Sequence, residues 1–134
     1  RAVAAEIDFV TAHVHPLWNG RQLEEALAWT REQAAAVRAR HPDRAVVLGE
    51  TGWATSALSE GEHGALIKGQ TGEAEQRRFH AEVRAWAAAE TTTVFFFEAF
   101  DENWKGGGHP DEVEKHWGLF RADRTPKSAL RPEP

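Results

Sequence analysis

Hydrophobic and polar positions change period several times along the chain, and each change marks an element. Val46-Val47-Leu48 is an unbroken aliphatic run, the pattern of a short strand buried on both faces in a parallel sheet, and it stops at Gly49 and Glu50. Residues 7–14 (IDFVTAHV) are β-rich and mostly apolar, and they lead into His15-Pro16-Leu17-Trp18-Asn19-Gly20, whose proline, asparagine and glycine signal a turn. From Arg21 the period becomes helical: Leu23, Ala26, Leu27, Ala34 and Val37 fall on one face, and Pro42 ends the helix because it cannot continue it. Residues 44–50 form the second predicted strand. Residues 55–72 are long, glycine-rich and polar, the signature of a binding loop, and are expected to wall a cleft. A second helix is predicted to start at Thr71 as N-cap, with Glu73 and Glu75 in its first turn, and to bury Phe79, Val83, Trp86 and Ala87. Residues 91–97 (TTTVFFF) make the third strand, which ends in Glu98. Phe100-Asp101-Glu102-Asn103-Trp104-Lys105, a flexible Gly106-Gly107-Gly108 and then His116-Trp117-Gly118-Leu119-Phe120 follow, and residues 126–134 are expected to fray.

Strand, helix, strand, helix, strand at these spacings implies right-handed crossovers and a parallel α/β sheet. The unusual polar residues all follow strands, the placement found at the catalytic end of a (β/α)8 TIM barrel. A complete barrel needs roughly 250 residues, so 1–134 is read as one partial domain, the C-terminal portion of a barrel with about three of its eight units. The lack of methionine and a helical pattern opening at residues 1–6 also predict a piece of something longer, with the N-terminal part of the barrel missing.

Charge narrows the partners. A net charge of -5 provides no basic stripe to neutralise phosphates, which argues against nucleic acid. Without cysteine there is neither a disulfide framework nor a thiolate metal site, and no apolar run of about 18 residues predicts a membrane span. Six tryptophans stand out instead, because indole planes in loops stack on ligands.

Glu50, Glu98 and Glu102 lie at strand ends or in the loops after them, close in sequence to Lys105 and to Trp18, Trp53, Trp104 and Trp117. Carboxylates with flat apolar plates suit sugars: glycoside hydrolysis needs paired carboxylates around an oxocarbenium-like transition state, and the CH faces of the ring stack on indole. Trp29 and Trp86 fall on helices and are read as packing. His13 and His15, two apart on a strand, share a side at metal-ligand spacing, which would make the chain part of a metal-dependent hydrolase barrel with Glu50 as a further ligand. A hydrogen-bonding role for His15 beside Glu50 explains the pair without a metal. The triple glycine precedes no helix at P-loop spacing.

Gly49-Glu50-Thr51-Gly52-Trp53 after one strand, Glu98-Ala99-Phe100-Asp101-Glu102-Asn103-Trp104-Lys105 after the next, and Glu114-Lys115-His116-Trp117-Gly118-Leu119-Phe120 beyond it resemble the C-terminal part of glycoside hydrolase family 17, the β-1,3-glucanases. The resemblance implies a (β/α)8 barrel and a retaining mechanism, with residues 7–14, 44–49 and 91–97 as strands six, seven and eight. It implies Glu50 as nucleophile, with Glu102 and Lys105 lining donor sugar subsites and Glu114 assisting. Trp18, Trp53, Trp104, Glu98 and His15 complete the expected β-1,3-glucan site, and no cofactor is implied. Ala54 stands where the family has proline. The family's general acid/base is the Glu of an Asn-Glu pair on strand four, and this chain contains no Asn-Glu dipeptide. The chain alone is therefore expected to be inactive, and the competing reading is a glucan-binding module that does not cut. Extracellular or periplasmic placement is the expectation for a polysaccharide enzyme.

Overall fold

The structure is a computed structural model that describes residues 2–131. Its elements run α1 (Ala2–Ala5), β1 (Phe9–His13), α2 (Leu23–Arg40), β2 (Ala45–Thr51), α3 (Gly61–Leu66), α4 (Glu73–Ala89) and β3 (Val94–Phe96), with single 3-10 turns at Val113–Lys115 and Ser128–Leu130. The three strands form one parallel sheet in the order β1-β2-β3, which places β2 and its terminal Glu50 in the centre. The expected α/β class and parallel order are both present. Arg1, within the expected opening helix, lies outside the described residues.

The helices cover one face of the sheet. Leu23, Ala26 and Ala34 of α2 and Phe79, Val83 and Trp86 of α4 are buried in one cluster with Leu48 and Val14. Thr30 shares the buried face of α2, its hydroxyl satisfied by the Ala26 carbonyl at 2.8 Å. On the opposite face Phe9 and Phe95 are exposed, and Val47 is only half-buried. The central strand was expected to be buried on both faces. Among the described residues it is covered on one, because alternate side chains point toward a lumen that this chain does not fill.

Three boundaries differ from expectation for local reasons. Strand β3 begins at Val94 and not at residue 91, because Thr91 takes a positive φ and Thr92 donates to the Ala87 carbonyl to close α4. The N-cap of α4 is Gly72 and not Thr71. A Cβ on Gly72 would lie 2.2 Å from a Glu75 carboxylate oxygen, so Glu75 fills the space that a capping side chain would need. The 55–72 segment is not without secondary structure, since it contains α3.

The tail expected to fray is docked through Arg131. Lys127, 2% exposed, donates to Thr55 and Asp101, while Ser128 bonds both the backbone and the carboxylate of Glu73. A buried ammonium that finds a carboxylate is retained, whereas an unpaired one is expelled to water. Residues 132–134 lie outside the described residues.

His80, buried on α4 with its ring 4.4 Å from Phe96, has its pKa lowered to about 4 by burial and then by Arg84. The unfolded chain takes up this proton near pH 6.5 and the folded chain only near 4. Between those values the unfolded state binds more protons, so stability falls as pH drops through that window and the loss levels off below it. The cost is on the order of 2–3 kcal/mol. Urea midpoints at pH 7 and pH 4 are expected to converge in His80→Leu relative to the parent chain.

Candidate active site

Glu50 is the penultimate residue of β2, and its position follows from backbone register. His13 pairs with Glu50 across a bulge at Ala12/His13, and Val14 N–H donates to the Glu50 carbonyl at 2.8 Å. The extra residue is Gly49 of β2, and the shifted register brings the Glu50 side chain within reach of both His13 and His15. His15 Nε2 lies 3.2 Å and His13 Nδ1 3.4 Å from the same oxygen, Oε2. Both nitrogens converge on that oxygen, and no group of three or more His, Cys, Asp or Glu among the described residues is arranged to hold a metal ion.

Burial lowers the His15 pKa, and its hydrogen bond to Glu50 only partly offsets this. A neutral ring facing a carboxylate must carry its proton on Nε2, because the carboxylate can only accept. That leaves Nδ1 as a bare acceptor, and it is buried without a partner. The ring is fixed by edge contacts to Phe97 and Trp117, each at a centroid distance of 5.5 Å.

Across Phe97 lies a second group of charges. Lys105 Nζ is 4.8 Å from the Phe97 ring centroid, donates to Glu98 Oε2 at 2.8 Å and pairs with Glu102. Burial pushes the Glu98 carboxyl upward against the pull of Lys105, and the like charge of Glu102 adds to the rise. For Lys105 the lowering by burial is outweighed by its two carboxylate partners, so it is held above the usual lysine value. The two directions agree physically, since Lys105 gains from two anions while Glu98 has only one cation.

Gly52 closes the strand end. A Cβ there would lie 2.1 Å from the Phe97 carbonyl oxygen, so only glycine lets β2 and the start of the Glu98 loop approach this closely. Phe97 N–H donates to Thr51 O, and Glu98 and Trp117 are joined through Glu98 N–H to Trp117 O at 3.1 Å.

The tryptophans divide differently from expectation. Trp53 is 1% exposed, its indole N–H donates to Gln70 O and its ring packs on Phe79, so it presents no face to a sugar. Trp117 is fully buried behind His15 and stacks on Trp18 at 5.8 Å. Trp18 remains half-buried, edge-on to His63. Trp104 is 76% exposed beside Lys105, an open indole at the tip of its loop. Glu114 is half-buried in the Val113–Lys115 turn, where its N–H donates to the Glu112 carboxylate, and its charge acts on both His15 and His63. The 55–72 segment lines a depression of about 320 Å³ together with Gly106, His109, Glu112 and Val113, and neither Glu50 nor Lys105 is among its lining residues. His63 of α3 pairs there with Glu112, which raises the His63 pKa.

Sequence reasoning missed Gln76 and Lys115. Gln76 is buried and its amide faces the carbonyls of Trp53, Trp117 and Gly118, tying α4 to both strand-end loops. Lys115 is buried beneath the 103–107 loop. A signal for it existed: Val113, Lys115 and Trp117 alternate with Glu114 and His116, which puts this lysine at a buried parity.

Comparison with known proteins agrees with this architecture. The chain is 30% identical over 134 residues to a glucan 1,3-beta-glucosidase of Arthroderma benhamiae, covering 90% of this chain and 41% of that protein. The crystal structure of a glycoside hydrolase family 17 beta-1,3-glucanosyltransferase from Rhizomucor miehei superposes with a TM-score of 0.81 at 23% identity, covering 96% of this chain and 44% of that one. An active-site mutant of the same enzyme in complex with laminaritriose gives 0.80. An endo-laminarinase from Formosa gives 0.77 at 25% identity, covering 94% of this chain and 38% of that one. The chain thus spans less than half the length of these relatives, which agrees with the part-barrel expected from its three units. The BtgE/BtgC glycoside hydrolase domain matches residues 1–118, and the chain belongs to that family.

Proposed function

We propose that the chain supplies the nucleophile-bearing part of a retaining glycosidase acting on β-1,3-glucan of the laminarin type, with Glu50 as nucleophile. The observation that carries this reading is the Glu50 carboxylate at the end of the central strand, one oxygen engaged by two imidazoles. Holding Oε2 fixes the plane of the group and leaves Oε1 to attack the anomeric carbon. Lys105, with Glu98 and Glu102, lies across Phe97 and offers charge-assisted hydrogen bonds to sugar hydroxyls. Trp104 and Trp18 are the indoles still open to stack on a pyranose. Binding of laminaritriose to the Rhizomucor enzyme, and the names of the relatives, support the choice of β-1,3-glucan.

Retaining hydrolysis needs a second carboxyl group about 5–5.5 Å from the nucleophile to protonate the leaving oxygen. The absence of an Asn-Glu pair in this chain favours that group coming from the remaining barrel, and it also supports the second reading, a glucan-binding module. Extracellular or periplasmic placement is the expectation for an enzyme of this polysaccharide class. Among the described residues no helix is long and apolar enough to cross a membrane.

Titration calorimetry tests the substrate class. Laminaritriose is expected to bind and cellotriose to bind at least tenfold more weakly. Lys105→Ala is expected to weaken laminaritriose binding about ten- to a hundredfold, the scale of one or two lost charged hydrogen bonds. Equal affinity for both trisaccharides, or affinity for neither, would refute the assignment.

A further inference from the structure

Lys115 is 6% exposed, and each of its three ammonium N–H bonds is accounted for by a main-chain carbonyl: Asn103 O at 2.8 Å, Lys105 O at 2.7 Å and Gly107 O at 2.7 Å. Three carbonyls from alternate residues of one loop turn inward on a single buried cation. Backbone carbonyls repel one another when they converge, and the ammonium at their centre offsets that repulsion. The Nζ of Lys115 does what a bound metal cation does in other loops, with the advantage that it cannot dissociate.

The loop it shapes carries working side chains. Its residues 104 and 105 are the exposed indole and the lysine that pairs with Glu98 and Glu102. Gly106 and Gly107, at φ +68° and +101°, supply the left-handed turns that bring the third carbonyl around. On its far side the loop rests against Glu112, whose carboxylate is 2.7 Å from where a Cβ on Gly106 would sit. The lysine itself is anchored by the 3-10 turn between buried Val113 and buried Trp117, the ring that also backs His15.

We propose that Lys115 is a positioning residue that acts as an internal cation, winding the 103–107 backbone so that Lys105 meets Glu98 and Trp104 stays open to ligand. It touches no substrate; it acts through Lys105. The part of this inference that concerns affinity rests on the β-1,3-glucan reading, whereas the part that concerns geometry does not.

The test compares Lys115→Met, which keeps the stem and removes the charge, with Lys105→Ala and the double variant. Three readouts are taken: amide exchange over residues 103–107, the titration midpoint of the 13C-labelled Glu98 carboxyl, and the laminaritriose Kd. In Lys115→Met, with the parent's far-UV circular dichroism, exchange is expected to rise at least tenfold. The Glu98 midpoint is expected to move upward toward its value in Lys105→Ala, because the neutralising ammonium has drifted away. The Kd is expected to rise as in Lys105→Ala, with the double variant no worse than Lys105→Ala alone. An unchanged Glu98 midpoint or additive losses of affinity would overturn the proposal, since a lysine that merely stabilised the fold would leave that midpoint in place and would not act through Lys105. If Lys115→Met does not fold, Lys115→Gln decides: its amide keeps hydrogen-bond donors but carries no charge, and a parent-like Glu98 midpoint in that variant overturns the proposal. If the parent binds no laminaritriose the glucan reading fails, while the exchange and titration readouts still decide the role of Lys115.

Discussion

Replacing Glu50 by glutamine is expected to abolish all covalent labelling of the chain by a fluorinated β-1,3-glucosyl donor with an activated leaving group, read as intact mass. In the parent chain a Glu50 carboxylate oxygen is expected to attack the anomeric carbon, the bond to the leaving group to break with its electron pair, and one glycosyl ester to remain on the protein. An activated leaving group departs without protonation, so the lack of an Asn-Glu acid in this chain does not confound the result. Glutamine keeps the shape of the side chain and can still meet His13 and His15, but its amide is not a nucleophile toward carbon. Labelling that survives Glu50→Gln would transfer the role to another carboxylate, with Glu98 the first to test because Lys105 holds it beside the same Phe97 ring. A parent chain that is folded by circular dichroism and binds laminaritriose, yet takes no label, would be the glucan-binding module.

Two imidazoles, one of them hydrogen-bonded, approach Oε2 of Glu50, and no lysine or arginine pairs with it among the described residues. A lysine or arginine against Oε2 would lower the basicity of the carboxylate and hold it by charge, whereas a neutral His15 with its proton on Nε2 orients it by one hydrogen bond. His15 is kept neutral by burial against Phe97 and Trp117, so the aromatic packing and the hydrogen bond depend on each other.

Much of this arrangement is legible in the residues because it is local. The helical period of 23–37 ends where Pro42 demands it, and three aliphatic residues before Gly49-Glu50 put the carboxylate at a strand end without knowledge of the neighbours. What is not legible depends on contacts between segments far apart in the chain. Thr91 and Thr92 have strand propensity, yet they are spent on closing α4. Thr71 is a better cap than Gly72 by type, yet the Glu75 carboxylate occupies the capping space. Residues 126–131 look like a loose tail until the two half-buried partners of Lys127, Thr55 and Asp101, are brought to it by two different loops. Lys115 is the extreme case. Its partners are backbone oxygens, which leave no trace in side-chain pattern beyond the parity of 113, 115 and 117.

Trp53 and Trp104 test this distinction most sharply, because both follow strands, both adjoin acidic residues, and sequence position alone assigns both to the cleft. Trp53→Ala is expected to cost about 3–5 kcal/mol, the scale for emptying a buried tryptophan site, and to lower the thermal midpoint by roughly 10–20 °C or to remove the cooperative transition altogether. The loss reaches beyond its own volume. Its indole N–H holds Gln70 O at 2.9 Å, its carbonyl accepts from buried Gln76, and Phe79 on α4 packs on its ring. Removing it therefore loosens the loop after Glu50 and the helix behind it together. Trp104→Ala is expected to leave the stability within about 0.5 kcal/mol of the parent, as for other surface changes, and to weaken laminaritriose binding several-fold through the lost stacking face. Thermal melts followed by near-ultraviolet circular dichroism, paired with laminaritriose titration, separate the two. A Trp53→Ala chain that melts like the parent but loses the sugar would return Trp53 to the cleft, and its burial against Phe79 would then belong only to the unliganded state.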